Sequence, residues 1–205
     1  TNDLIWWIPF AMILWGAALS HQCDNRRSIR TTCRTVIDPM SRLLSQRGSS
    51  LMSLSRQSPV LVVFLRHSGC TFCREALGDL ARDRKLIEDQ GTRLAIVHMG
   101  QEEPQTLLKK YGLEDVHCFR DPDCVLYESF GLKLGGPMAL LGPKVWWRGA
   151  KAYFSGHGVG ALDGNVFRLP GVFLIQDGQI LRSYRHTAAA DRPDYIGLSR
   201  CPEDI

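Results

Sequence analysis

The chain has 205 residues, 44% hydrophobic and 22% charged, with a formal net charge of +4, the profile of a globular protein able to bury a full core. Residues 1–56 carry seven arginines against Asp3, Asp24 and Asp38, so this arm holds the whole positive excess and the rest of the chain is neutral. A nucleic-acid binder would carry its basic patch on the folded domain, which excludes that class.

From Leu4 to Cys23 there is no charged side chain, a run that as a helix reaches about 30 Å, enough to cross a hydrocarbon core. Trp6 and Trp7 suit the headgroup level, and Pro9 lies near the start, where a helix tolerates it. Arg26, Arg27, Arg30 and Arg34 follow the run. Positive charge is retained on the cytoplasmic side, so the expected orientation puts the main domain in the cytoplasm. A cleaved signal peptide ending near Ala18-Leu19-Ser20 is a competing reading, although the positive n-region is missing. A buried or interfacial helix is a third. A membrane helix over residues 1–24 would suit a membrane-protein partner.

Residues 25–54 read as a basic linker with a short helix, in which Asp38 is the N-cap, Pro39 the first helical position and Gly48 the stop. The stretch from Gly48 to Ser58 is poor in bulky residues and reads as a connector into a domain over 55–205.

Pro59-Val-Leu-Val-Val-Phe-Leu-Arg66 is an unbroken apolar, β-branched run, which predicts a strand covered on both faces. His67-Ser-Gly-Cys-Thr-Phe-Cys73 follows, and then apolar residues at helical spacing up to Gly91. Cys70 and Cys73 therefore fall at a strand-to-helix junction. A helix start offers unpaired N–H groups and the positive end of the macrodipole, which favour thiolate over thiol, so Cys70 is the candidate nucleophile. Cys73 lies nearly one turn further on, placed to resolve a mixed disulfide or close a disulfide with Cys70.

Thr92–His98 predicts a second strand, Glu103–Tyr111 a helix, Val116–Arg120 a third strand, and the turn Asp121-Pro122-Asp123 a helix up to Phe130. Pro170–Gln176 and Gln179–Arg185 flank Asp177-Gly178, a two-residue hairpin signal. A parallel βαβ half followed by an antiparallel hairpin is the thioredoxin plan, an α/β class. Seven irregularly spaced cysteines do not form a stapled secreted scaffold and fit a reducing compartment. Cys118 and Cys124 match no usual zinc hook and read as core thiols, so no metal and no other cofactor is expected.

The segment Phe64-Leu-Arg-His-Ser-Gly-Cys-Thr-Phe-Cys-Arg-Glu-Ala, with Leu169-Pro-Gly-Val-Phe-Leu and Tyr184-Arg-His-Thr-Ala-Ala-Ala-Asp-Arg-Pro, resembles the peroxiredoxin-like 2 and selenoprotein L-related group. That group belongs to the alkyl hydroperoxide reductase/thiol-specific antioxidant superfamily, and the likeness spans roughly residues 55–200. It implies a thioredoxin-like fold with Cys70 as the redox-active position and Cys73 as its partner. It also implies that Pro170 opens the hairpin strand beside the site, typically through a cis bond. Typical peroxiredoxins carry Thr three residues before the reactive Cys, where this chain has His67, a residue suited to act as a base or to lower the Cys70 pKa. Arg185 reads either as a cation near the site or as a surface ion-pair residue.

Two features depart from the plan. After the hairpin, only a short stretch broken by Pro193 and Pro202 remains for the usual last helix. The Asp38–Arg47 helix or a partner subunit would then cover one sheet face. An insertion over 133–169 is rich in glycine and aromatics, including Trp146, Trp147, Tyr153 and Phe154. It would shield the thiols, lie on a membrane surface, or simply pack on the sheet.

The leading expectation is a membrane-tethered thiol-disulfide oxidoreductase or peroxiredoxin-like protein acting on a protein disulfide or a peroxide through Cys70, Cys73, Pro170 and His67. The alternative is an accessory docking subunit of a larger membrane-protein electron-transfer complex that reuses a thioredoxin-like domain.

Overall fold

The computed structural model describes residues 38–66, 70–100, 105–135, 167–188 and 190–202. The expected membrane helix, His67 and most of the 133–169 insertion lie outside these residues. No helix among the described residues is long and apolar enough to cross a membrane.

Five strands form one sheet: β1 (Val60–Phe64), β2 (Arg93–His98), β3 (His117–Arg120), β4 (Gly171–Gln176) and β5 (Gln179–Arg185), in the order β3-β2-β1-β4-β5. β1 pairs parallel with β2, and β2 with β3, while β4 runs antiparallel to both β1 and β5. Every residue of β1 is buried, as an unbroken apolar run in mid-sheet requires. The β4–β5 turn places Asp177 at φ 48° and Gly178 at φ 73°, the pair of positive φ values that a type I′ hairpin demands.

The pleat divides the core in two. On one side Leu61, Val63, Leu94, Ile96, Val172 and Leu174 pack with helix α2 (Thr71–Asp89), whose Cys73, Leu77, Leu80 and Ile87 face inward at helical spacing. On the other side Val60, Val62 and Phe64 meet α1 (Leu51–Ser55) and α4 (Val125–Ser129). There the Phe64 ring stands 5.0 Å from Tyr127, 5.0 Å from Phe130 and 5.5 Å from Phe173. Helix α3 (Gln105–Lys110) buries Leu108 on the α2 side.

Three expectations change. The helix expected over Asp38–Arg47 covers only residues 38–42. The chain then runs along the edge of β3, with Ser45 bridged to Phe119 and the Gln46 side chain donating to Val116 O at 2.8 Å and accepting from Cys118 N at 2.7 Å. These bonds to an open strand edge outcompete another helical turn. Second, part of the stretch expected as a connector is α1, capped by the Ser50 hydroxyl, which accepts from Ser53 N at 3.1 Å. Its Leu51 and Leu54 are core residues, and its Ser55 accepts from both turn residues of the hairpin through main-chain and side-chain oxygens.

Third, a terminal helix does form. α5 (Tyr195–Ser199) fits between Pro193 and Pro202, and the Asp194 carboxylate caps it by accepting from Gly197 N at 2.9 Å. It packs on the α2 side, where Ser199 O accepts from Thr92 Oγ1 at 2.8 Å. The opposite face is closed by α1, α4 and Met40, so no partner is needed to cover the sheet. The insertion leaves and returns at one place: Leu134 bridges Arg168 antiparallel, and Leu169 N donates to Lys133 O at 3.1 Å.

Candidate active site

The chain emerges from β1 into Leu65 and Arg66 and enters α2 at Cys70, the N-cap, with extended backbone at φ −73° and ψ 121°. The Tyr127 hydroxyl reaches up from beneath to the Leu65 carbonyl and also lies 3.1 Å from Val97 O. Leu65 N donates to Val97 O at 2.9 Å. The strand end is thereby fixed before the chain turns.

Cys70 and Cys73 are free thiols, 7% and 5% exposed. Both line a narrow, partly open cleft of ≈ 20 Å³, together with Arg66, Pro170, His186 and Arg192. The backbone N–H of Arg66 donates to Cys73 Sγ at 3.2 Å. The Cys70 thiol is held down to about 6 from its ordinary 9.0, chiefly by the hydrogen bond from Cys73. Burial opposes this, while the Arg66 charge and the backbone N–H groups of Cys73 and Phe72 reinforce it. A buried sulfur that keeps its acidity in this way is a thiolate near neutrality, the reactive form of cysteine.

A helix start alone does not produce this. Cys124 occupies the equivalent place before α4, and burial pushes its thiol up. There the Asp121 carboxylate accepts from Val125, Leu126 and Tyr127 N–H, so these backbone donors are not left for sulfur. The first turn of α2 contains no acidic residue, so its donors remain for Cys70. Cys118 and Cys124 lie in the cores on opposite faces of the sheet. They do not share a site. Among the described residues no group of three or more His, Cys, Asp or Glu could hold a metal ion.

Pro170 lines the cleft at the head of β4. The cis bond implied for it is not found: no peptide bond is cis among the described residues. Leu169 N–H is bound to Lys133 O in the insertion stem, and Pro170 O accepts from His186 N at 3.2 Å, so the chain reaches β4 extended with these groups already used. Arg185 is not among the residues lining the cleft. Its Nε and Nη2 donate to Phe130 O at 3.2 and 3.0 Å, and its guanidinium lies 4.9 Å from the Phe173 ring centre, so it serves the packing beneath the hairpin.

Three side chains in the cleft were not singled out from the sequence. Arg66 reads there only as the end of a strand, and His186 and Arg192 only as parts of a motif. Arg192 Nε donates to Asp79 Oδ2 at 2.6 Å, and its Nη1 lies 3.6 Å from Glu75 Oε1, which ties the tail to α2 beside the thiols. Neither ring nitrogen of His186 has a hydrogen-bond partner among the described residues. Burial lowers its pKa to about 4, against the charge of Asp191 and a looser contact with the Ala188 backbone. The one signal for Arg66 is its place, a charged residue ending an apolar strand four positions before a CxxC.

No protein-family model matches the sequence, and no curated protein matches it. Solved structures do. The peroxiredoxin 6 of Arenicola marina, in a cysteine-to-serine mutant, superposes with TM-score 0.54 at 12% identity, over 77% of this chain and 66% of that one. The Xanthomonas campestris bacterioferritin comigratory protein, described for alkyl peroxide reduction, gives 0.52 at 14%, over 74% and 85%. A cysteine-to-serine mutant of Xanthomonas campestris peroxiredoxin Q gives 0.51 at 15%, over 74% and 85%. This chain therefore has the α/β thioredoxin-like fold that the peroxiredoxins share.

Proposed function

We propose that the protein is a thiol-disulfide oxidoreductase that works through the dithiol of Cys70 and Cys73. The observation that carries this reading is a Cys70 thiol lowered to about 6 in a partly open cleft, with a second thiol bonded to it. The Cys70 thiolate attacks one sulfur of a substrate disulfide, forming a mixed disulfide and expelling the other half as thiolate. Cys73 loses its proton, attacks Cys70 Sγ and expels the second half, so two electrons pass to substrate and Cys70–Cys73 becomes the disulfide. A peroxide would be reduced by the same thiolate, with Cys73 condensing onto the sulfenic acid and releasing water.

In the same reading residues 4–23 tether the domain to a membrane, with the domain on the cytoplasmic side and a membrane-protein partner for the helix. The support is the uncharged run and the four arginines after it.

In a reductant-coupled assay, Cys70→Ser should abolish turnover, and Cys73→Ser should accumulate mixed disulfide at Cys70. Undiminished turnover by Cys70→Ser rejects the reading. Full release of the chain from vesicles by alkaline carbonate rejects the tether.

A further inference from the structure

The dithiol cleft contains polar groups that its own chemistry leaves unused. Arg66 Nε and both ring nitrogens of His186 are buried without a hydrogen-bond partner among the described residues, and both residues line the cleft with Cys70 and Cys73. A buried donor left without an acceptor keeps the full cost of its lost hydration, so such groups call for an explanation. Here two such side chains line one cleft.

Their charge narrows what enters. The other cleft guanidinium, Arg192, is already held by Asp79 and Glu75. Arg66 forms no ion pair among the described residues, and its charge is felt at Cys70. His186 is neutral above pH 4, and a neutral imidazole offers one N–H and one lone pair. The nearby Asp191 carboxylate is occupied: its Oδ2 accepts from Thr187 N, Thr187 Oγ1 and Ala188 N at 2.7, 3.0 and 2.9 Å. An uncompensated cation with a second N–H beside it suits an anion with two acceptor oxygens, and a carboxylate meets a guanidinium in that way.

We propose that Arg66 and His186 form a carboxylate-binding subsite next to Cys70, which makes small acidic disulfides the preferred substrates of this cleft. The proposal rests on the dithiol reading and names its substrate class. Arg66 lines the same cleft as Cys70 and its charge acts there, so a carboxylate on Arg66 brings the substrate S–S bond toward the Cys70 thiolate. Attack forms the Cys70–substrate disulfide and expels the other half as thiolate, the step given above with no further reactant.

Alkylation of Cys70 in the reduced full chain tests the subsite without turnover. Rates with iodoacetate and iodoacetamide are read on the Cys70 peptide by mass spectrometry, with N-acetylcysteine as reference thiol. The iodoacetate-to-iodoacetamide ratio should exceed the reference by about tenfold, the effect of one charge-assisted contact, and collapse in 1 M salt. Arg66→Gln should return the ratio to the reference, Arg66→Lys should keep most of it, and His186→Phe should lower it severalfold. Because it is a ratio, a changed Cys70 acidity cancels. In turnover, KM for 3,3′-dithiodipropionate should lie about tenfold below that for bis(2-hydroxyethyl) disulfide, and Arg66→Gln should remove the difference. A wild-type ratio equal to the reference overturns the subsite. Failure to reduce either disulfide, with the alkylation ratio still raised, overturns the dithiol reading and leaves an anion subsite beside an acidic thiol.

Discussion

The Arg66 backbone N–H donates to Cys73 Sγ at 3.2 Å, so the chain leaving β1 holds the second sulfur of the helix turn that follows. Cys73 is in turn the largest cause of the low Cys70 pKa. The strand end thus holds the side chain that does most to lower the pKa of a thiol four residues further on.

Alkylation of Cys70 by iodoacetamide should titrate with a midpoint of about 6. Removing the Cys73 donor by Cys73→Ala should raise that midpoint by about one to two pH units. The folded pKa lies below the unfolded value, so the thiolate contributes stability that is complete above the unfolded pKa and is lost as pH falls through 6. The reduced protein should gain about 1 kcal/mol per pH unit between pH 6 and 9, seen as a rising denaturant midpoint that Cys70→Ala flattens. A thiolate stabilised in the reduced state also makes the disulfide oxidising, with a potential above the roughly −270 mV of thioredoxin, measurable against a glutathione buffer.

His186 responds in the acid direction. Burial lowers its pKa from 6.5 to about 4, so the unfolded chain binds more protons between these values and stability falls as pH drops from 6.5 to 4. His186→Phe keeps a ring against Tyr184, whose centre lies 5.3 Å from that of His186. It should remove about 2–3 kcal/mol of the acid loss, read from urea midpoints at pH 7 and pH 4.5.

The Arg192–Asp79 pair should respond unequally to losing either partner. The Asp79 side chain is 6% exposed and that of Arg192 46%. Arg192→Met strands a buried carboxylate that retains only the exposed Arg82 at 3.1 Å, whereas Asp79→Asn leaves a guanidinium that water can reach. Thermal unfolding should show Arg192→Met losing about 2 kcal/mol and Asp79→Asn distinctly less.

Gln46 closes the β3 edge with two side-chain bonds, to Val116 O and from Cys118 N. Gln46→Ala should cost about 1–2 kcal/mol. It should also speed amide exchange at Cys118 by hydrogen-exchange mass spectrometry, while the amides of β1 stay protected.

The sequence by itself determined the framework. An apolar run as uniform as Val60–Phe64 has no polar face to show to water, Asp177-Gly178 supplies the positive φ values of its turn, and a CxxC between strand and helix can only sit at the junction. Those signals are local, carried by residue type and spacing. The tertiary structure decided which junction matters and what surrounds it. Cys70 and Cys124 both stand before helices, and they diverge because Cys73 donates to the first sulfur while burial dominates at the second, where Asp121 holds the helix N–H groups. His186 and Arg192 reach the Cys70 cleft from more than a hundred residues away, just past the hairpin's last strand and in the tail beyond. Burial and charge are sums over neighbours, and the fold chooses those neighbours from segments that carry no mark of one another in the chain.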